Sequence, residues 1–233
     1  MTDTGRGMFW SLATLLALCA MAVPLLAQDE EQRLANSAIA LQQILSEHNG
    51  LPKRILDKGY CVIIFPGVKK VALAPGGSYG SGVLICRKGA KMDGSWGAPA
   101  MYALNMRSLS MQVGSTETDF VLVIASQKGV DQILIGKTKL GSNVATATGP
   151  RGADAVSYNI DKNNIDVLTY ARVHAPVAGV SLKGASMDSD EGANEAIYGK
   201  DKGAKEIIQG NQALVPAAKP LVDLLDKASP MRQ

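Results

Sequence analysis

The chain has 233 residues, of which 46% are hydrophobic and only 5% aromatic, so a single packed core is expected to consist mainly of aliphatic side chains. The 24 lysines and arginines nearly balance the 21 aspartates and glutamates, which leaves a formal net charge of +3. This small charge does not indicate a nucleic-acid-binding protein, whose typical mark is a strongly basic face, so any preference for anions has to come from local clusters of cations.

The first 27 residues have the pattern of a targeting segment. Arg6 precedes an uncharged run, Met8–Ala27, which ends abruptly at the polar residues that begin with Gln28. The pattern predicts a signal peptide that is cleaved at the end of this run, and therefore a periplasmic or secreted protein. The run is also long enough for an uncleaved membrane anchor, and Cys19 leaves lipid attachment open.

Helices are predicted near both ends of the remaining chain. Leu34, Leu41 and Leu45 repeat at helical spacing, which predicts an amphipathic helix over Glu30–His48. Further helices are predicted over Pro52–Lys58, Gln127–Ile135, Asp190–Tyr198 and Ala204–Gln209, and a last helix is expected to open at Pro220.

The middle of the chain has the pattern of short strands separated by Gly, Pro, Asp and Ser. The candidates are Tyr60–Phe65, Lys69–Ala74, Ser81–Arg87, Ala100–Met106, Ser108–Gly114, Asp119–Ala125, Val144–Thr148, Val156–Ile160, Val167–Val173 and Val177–Leu182. Strands at such short spacing favour an antiparallel sheet that curls or closes. The predicted fold class is α+β, with a curled or closed, barrel-like antiparallel sheet and flanking N- and C-terminal helices.

Two cysteines, Cys61 and Cys86, lie in apolar strand-like segments. Buried cysteines on strands often serve as small core residues, whereas an exported protein folds in an oxidising compartment where cysteines pair. The sequence leaves both interpretations open.

Four segments resemble one known family. Ile63–Val71 reads IIFPGVKKV, Pro75–Ile85 reads PGGSYGSGVLI, and the longer segments Gly129–Gly152 and Thr169–Gly199 follow. Together, and in the same order, they resemble the SYLF domain family over roughly Leu51 to Gly199, as in an exported bacterial member. The resemblance implies a non-enzymatic module that binds anionic phosphoinositide headgroups, and some eukaryotic members also bind actin filaments.

The chain departs from those relatives in its N-terminal helix, which in them is basic and assists membrane contact. Here Arg33 is the only Lys or Arg in Glu30–His48, so insertion of this helix into a membrane is not expected. An exported protein is also not expected to meet actin. The predicted organisation is a leader over residues 1–27, a SYLF-like domain over residues 28–199, and a linker with a helix over residues 200–233.

The candidate binding residues are cations and glycines on flexible segments. A glycine-bounded loop offers backbone donors, and a lysine or arginine beside it can hold a phosphate. The predicted ligand-binding residues are Lys69, Lys70, Gly76, Gly77, Tyr79, Lys137, Lys139 and Arg151. Solvated lysines in ordinary turns explain the same pattern, and it is the resemblance that favours an anionic lipid or membrane surface as the partner.

No catalytic or metal-binding motif is complete. Gly136-Lys137-Thr138 lacks the first glycine of a phosphate loop, because Asp131 occupies that position. The acidic residues Asp188, Asp190 and Glu191 lack the spacing of a calcium loop, and they predict the start of a helix instead. We therefore predict no catalytic residue, no metal and no cofactor.

Two alternatives to a headgroup-binding module of the cell envelope remain open. Gly179–Gly184 resembles a nucleophile elbow that is one residue too long, and a hairpin would bring His174 towards Ser181, as in a weak serine hydrolase. The other alternative is an envelope structural protein that binds an unidentified protein partner by strand addition.

Overall fold

The computed structural model describes residues 22–48, 50–69, 78–106, 117–140, 156–159, 166–174, 182, 185–210 and 212–232. Its helices are α1 (Ala22–Ser46), α2 (Lys53–Leu56), α3 (Gln127–Ile135), α4 (Glu191–Tyr198), α5 (Ala204–Gln209) and α6 (Lys219–Ala228), with a 3-10 turn at Pro216–Ala218. Its strands are β1 (Cys61–Lys69), β2 (Ser78–Cys86), β3 (Ala100–Met106), β4 (Glu117–Ile124), β5 (Thr138–Lys139), β6 (Val156–Asn159), β7 (Asp166–Val173) and β8 (Ser186–Ser189).

The strands form one curled antiparallel sheet in the order β5-β8-β3-β2-β1-β4-β7-β6. Consecutive strands β1, β2 and β3 are direct neighbours, whereas β8 joins the sheet beside β3 and β4 joins it beside β1. The predicted α+β fold, with a curled antiparallel sheet and flanking helices, is confirmed.

Both faces of the central strand β1 are buried. Cys61, Ile63 and Phe65 belong to a core that includes residues of α3 and α5, and Val62 and Ile64 belong to a second core under α1 and α6. A strand that is buried on both faces reads as a continuous apolar run rather than as an alternation. This explains the sequence CVIIF at the start of β1.

Several predicted elements have different bounds in the structure. Helix α1 begins at Ala22 rather than at the predicted Glu30. Among the described residues, no helix has the length and hydropathy needed to cross a membrane. Strand β1 continues through Pro66 and Gly67 as far as Lys69. It therefore joins the predicted strand Tyr60–Phe65 to the first residue of the predicted strand Lys69–Ala74. The short polar strand β8 was not predicted.

Other predictions fall wholly or partly outside the described residues. These are the strands Ser108–Gly114 and Val144–Thr148, most of Val177–Leu182, and the continuation of Lys69–Ala74 beyond Lys69. The region that begins at residue 200, predicted as a linker with a helix, contains α5 with the bounds predicted for a helix, and its Ala204 and Ile207 are buried in the core.

Arg87 holds the C-terminal tail against the sheet. Its side chain is buried, with 2% of the residue exposed, and its guanidinium lies 4.3 Å from the centre of the Trp96 ring. The guanidinium donates to the Ser229 hydroxyl and to the backbone carbonyls of Gly59, Gly94, Ser229 and Pro230. A buried cation needs such a complete set of acceptors, so the tail and the start of β1 are fixed together.

A disulfide joins Cys61 to Cys86 across neighbouring strands, which decides the alternative that the sequence left open. The two residues face each other in the register of β1 and β2. The two cysteines are 25 residues apart in sequence, and they belong to the same core as Phe65 and Leu84.

We predict that removing this disulfide destabilises the protein. Closing a loop of this length restricts the unfolded chain, and its loss costs about 3 kcal/mol of unfolding free energy in the chain-entropy model. Urea denaturation of the oxidised protein and of the Cys61→Ala, Cys86→Ala variant measures the difference. Free thiols detected by alkylation in the oxidised, folded protein would contradict the prediction.

Two buried tyrosines predict a loss of stability in alkali. The hydroxyl of Tyr102 donates to the carbonyl of Ile133 at 3.1 Å, and that of Tyr198 donates to the carbonyl of Pro99 at 2.5 Å. Burial raises the pKa of Tyr102, helped by Glu191 and Asp188, and burial also raises the pKa of Tyr198. The folded state therefore keeps protons that the unfolded state releases above about pH 10.

The expected outcome is that the free energy of unfolding falls as pH rises from about 10 to about 11.5, by about 1.5 kcal/mol for each tyrosine. The double variant Tyr102→Phe, Tyr198→Phe should lose this part of the slope while keeping the contributions of other groups. Denaturant titrations at several alkaline pH values measure both slopes, and equal slopes for the two proteins would show that the tyrosines are not responsible.

Candidate functional site

The register of five neighbouring strands aligns three predicted binding residues across the sheet. Lys69 of β1 pairs with Tyr79 of β2, and Tyr79 pairs with Asn105 of β3. Asn105 pairs with Ser186 of β8, which pairs in turn with Lys139 of β5. We call these five residues the lysine row. Two lysines that are far apart in sequence thus lie at the same end of one sheet.

The length of the lysine row limits what it can bind. Four steps between neighbouring strands separate Lys69 from Lys139, which corresponds to roughly 19 Å along the sheet. This distance is well above the Debye length of about 8 Å at physiological ionic strength, so the two ends act almost independently. A surface that carries many anionic groups can meet both ends, whereas one phosphate group cannot.

The β5 end of the lysine row presents two cations to solvent. Lys137 and Lys139 are exposed and flank Thr138, which is buried. The Thr138 hydroxyl lies 3.2 Å from the carbonyl oxygens of Gln132 and Gly136, and these contacts hold the segment against the end of α3. Both lysines therefore lie on the solvent side of this segment, opposite the buried Thr138.

The remaining predicted binding residues lie partly or wholly outside the described structure. Lys70, Gly76, Gly77 and Arg151 are outside it, and only the backbone of Lys69 and Tyr79 is described. Their assignment to a binding site stays a prediction.

A cleft that the sequence did not predict adjoins the lysine row. It has a volume of about 390 Å³ and lies between α1 and the end of the sheet. Its lining residues are Asn36, Ile39, Ala40, Gln43, Pro66, Gly67, Glu117, Asp119 and His174, and we call it the α1 cleft. It meets the lysine row where Glu117 of β4 pairs with Lys69 of β1.

The α1 cleft forms where β1 is bulged. The register between β1 and β4 shifts between Phe65 and Val68, and Gly67 there has a φ of 55°, in the left-handed region that favours glycine. The backbone N–H of Gly67 donates to the Asp119 carboxylate at 2.8 Å. The bulge is therefore fixed from the neighbouring strand.

Asp119 organises the polar side of the cleft. It is 3% exposed, and its Oδ2 lies 2.7 Å from His174 Nε2 and 3.7 Å from Arg172 Nη1. A carboxylate only accepts hydrogen bonds, so Nε2 carries the proton in this contact and the other ring nitrogen, Nδ1, is left as an acceptor when the ring is neutral. Sequence reasoning missed Asp119 because an acid at the start of a strand reads as a solvated residue.

Arg172 connects Asp119 and His174 to α1. Its guanidinium donates to Gln43 Oε1 at 2.9 Å and to Glu47 Oε1 at 3.2 Å. Asp119, Arg172 and the two helix residues thus fix α1 relative to β4 and β7.

The sequence-based alternatives have different outcomes. Ser181, the hydrolase nucleophile of one alternative, lies outside the described residues, and Nε2 of its candidate base His174 already contacts Asp119. In the acidic cluster, Asp190 accepts from the backbone N–H of Ala193 as the N-cap of α4, and Asp188 accepts from Asn105. Among the described residues, no group of three or more His, Cys, Asp and Glu side chains is placed to hold a metal ion.

Comparisons with known proteins identify the family. Residues 106–228 match the family model Ysc84, described as "Las17-binding protein actin regulator". The chain is 30% identical over 199 residues to Protein YSC84 of Saccharomyces cerevisiae, an alignment that covers 83% of this chain and 41% of that protein. It is 29% identical over 197 residues to an SH3 domain-containing protein of Schizosaccharomyces pombe, with 83% of this chain and 45% of that protein covered.

A human protein named SH3 domain-containing YSC84-like protein 1 is 25% identical over 177 residues, with 76% of this chain and 51% of that protein covered. The chain thus spans about half or less of the length of these relatives. The family model covers more than half of the chain, and it includes β4, β7, α4 and α6 of the structure. The chain therefore belongs to the Ysc84 (SYLF) domain family.

Proposed function

We propose that the chain is a non-enzymatic binding module that contacts anionic lipid headgroups, or a related phosphorylated surface, through the lysine row. The observation that carries this proposal is the register that aligns Lys69 and Lys139 at one end of the sheet. Exposed Lys137 adds a third cation beside Lys139.

The spacing of the lysines supports a membrane surface rather than a small soluble phosphate. Each lysine near an anionic membrane contributes on the order of 1 kcal/mol, and the surface potential fades within a Debye length. Lysines that are roughly 19 Å apart therefore add their contributions only when an extended anionic surface reaches both. The envelope localisation predicted from the leader belongs to the same proposal.

The relatives add a second kind of partner. The family description names Las17 and actin, and one relative is called LAS seventeen-binding protein 3. These names describe the relatives, which are about twice as long as the matching part of this chain. A protein partner for this chain is therefore a further proposal.

We predict that two pairs of lysines contribute to liposome binding. Lys137→Ala with Lys139→Ala, and Lys69→Ala with Lys70→Ala, should each weaken binding to vesicles by roughly tenfold or more, because each pair contributes about 2 kcal/mol. Combining the pairs should add the two effects, since the pairs are separated by more than a Debye length. Sedimentation with phosphatidylcholine vesicles that contain phosphatidylserine or a phosphoinositide measures the binding.

The control is the variant Lys205→Ala, Lys227→Ala, which removes the same charge from exposed positions on α5 and α6. It should bind nearly as well as the unchanged protein, and binding of the unchanged protein should be weak at about 0.5 M salt. Equal losses in the control would attribute binding to net charge. Binding that survives both the lysine substitutions and high salt would place the contact elsewhere.

A further inference from the structure

We propose that the end of the sheet at Cys61 docks an acidic protein segment that carries an apolar residue. The surface there is formed by residues 53–58, 87–93 and 226–232, and we call it the basic corner. The lysine row crosses the other end of β1, at Lys69, roughly 26 Å away along the strand. The proposal goes beyond headgroup binding, because it assigns a separate surface to a protein partner.

Contacts within the fold bring the three segments of the basic corner together. Besides the contacts of Arg87 described above, the Ser229 hydroxyl donates to the Asp57 carboxylate at 2.7 Å. The Arg232 guanidinium donates to the backbone carbonyl of Asp57 at 2.9 Å, and the Arg232 backbone N–H donates to the carbonyl of Asp93 at 2.9 Å. Segments that are far apart in sequence therefore form one continuous surface.

The basic corner has a larger positive charge than the whole chain. Its segments contain eight lysines and arginines and three aspartates, an excess of five, whereas the chain carries +3. Neighbouring elements change this excess little. Lys128 and Asp131 of α3 balance each other, as do Lys205 and Glu206 of α5, and Asp166 at the start of β7 removes one charge. An excess of four positive charges remains, and it attracts acidic groups.

Two arginines of the basic corner have uncharged acceptors. All five N–H groups of the Arg87 guanidinium donate to backbone carbonyls or to the Ser229 hydroxyl. The Arg232 guanidinium donates to backbone carbonyls and lies 4.7 Å from the centre of the Tyr60 ring. Their charges thus add to those of the exposed cations around them, which are Arg54, Lys58, Lys88, Lys91 and Lys227.

A groove beside the basic corner has room for an apolar side chain. It has a volume of about 500 Å³ and lies between the loop after β2 and the end of α5, and we call it the α5 groove. Met92, Ala98, Ile207 and Ile208 supply its apolar surface, and Lys88 lines it on the side of the basic corner. An apolar residue that enters the groove therefore places acidic neighbours in the same segment beside Lys88.

The α5 groove also offers partners for a peptide backbone. The side chains of Gln209 and Gln212 line it, and a side-chain amide both donates and accepts hydrogen bonds. An extended protein segment presents one N–H and one C=O at each residue other than proline. The groove therefore combines apolar, amide and cationic groups, which match the three kinds of group in an acidic segment.

Other anionic partners fit this combination less well. A bilayer surface is flat on this scale, so it meets the exposed lysines but does not fill the groove. Single-stranded nucleic acid gains affinity by stacking its bases on aromatic side chains, and none of the described residues that line the groove is aromatic. A small phosphate leaves the apolar surface of Met92 and Ile208 uncovered.

Synthetic peptides test the proposal on the full chain by isothermal titration calorimetry at low salt. We expect acetyl-Glu-Glu-Leu-Glu-Glu-amide to bind saturably. Acetyl-Lys-Lys-Leu-Lys-Lys-amide should bind at least about tenfold more weakly because of charge repulsion, and acetyl-Glu-Glu-Gly-Glu-Glu-amide several-fold more weakly because it leaves the groove empty. An oligothymidylate of the same net charge tests whether any polyanion is sufficient.

Variants locate the binding to the basic corner and the α5 groove. Ala90 is exposed and lines the groove, so Ala90→Glu should weaken binding of the Glu-Glu-Leu-Glu-Glu peptide by about tenfold, whereas Ala90→Lys should not weaken it. Lys88→Ala with Lys91→Ala should weaken it by about fivefold to tenfold. The matched control is Lys137→Ala with Lys139→Ala, which removes the same charge from the lysine row and should leave peptide binding unchanged. Circular dichroism checks that each variant keeps the fold.

Four results would overturn the proposal. These are equal binding of the acidic and basic peptides, equal binding of the leucine and glycine peptides, binding of oligothymidylate as tight as that of the acidic peptide, and peptide binding that is unaffected by both Ala90→Glu and the change of Lys88 and Lys91. Liposome sedimentation separates this proposal from headgroup binding, because Lys88→Ala with Lys91→Ala should not weaken it. A loss of liposome binding as large as the loss of peptide binding would assign the basic corner to the membrane instead.

Discussion

The residues from Cys61 to Phe65 are fully buried on both faces of the sheet, and most of the structure follows from the need to cover them. Helices α1 and α6 pack on one face, and α3, α5 and the curl of the sheet enclose the other. Burial on both faces is interrupted at Pro66 and Gly67, where β1 is bulged, and Val68 is again buried in the core. Pro66 and Gly67 line the α1 cleft, so the cleft lies at this interruption of the central strand.

The parts of the fold that the sequence predicts are those with local signals. Helix Gln127–Ile135 has the same bounds in the prediction and in the structure, because Ser126 caps its start and Gly136 follows its end. Strand Ala100–Met106 also agrees, since apolar residues occupy every position of it except Asn105. Strand β8 was missed because Met187 is its one apolar residue, and its pairing with β3 and β5 is a long-range contact.

The candidate sites too could be predicted only where a local sequence pattern determines them. Exposure of Lys137 and Lys139 follows from local alternation around Thr138. Their alignment with Lys69 depends on β8, which inserts between β3 and β5, and no local pattern encodes that insertion. Likewise, Asp119 can be recognised as a site residue only in the fold, where the bulge brings the N–H of Gly67 to its carboxylate and the register places Arg172 beside it.

The contacts of Arg87 also have a consequence for biosynthesis. Its partner Ser229 lies 142 residues later in the chain, so the guanidinium reaches its full set of acceptors only after the last helix has been made. At typical translation rates of about 5–20 residues per second, this leaves an interval of roughly 7–30 seconds. During that time the hairpin of β1 and β2 exposes an apolar surface beside an arginine that lacks its acceptors on Ser229 and Pro230. The nascent chain is therefore expected to depend on holding chaperones until its C-terminus emerges from the ribosome.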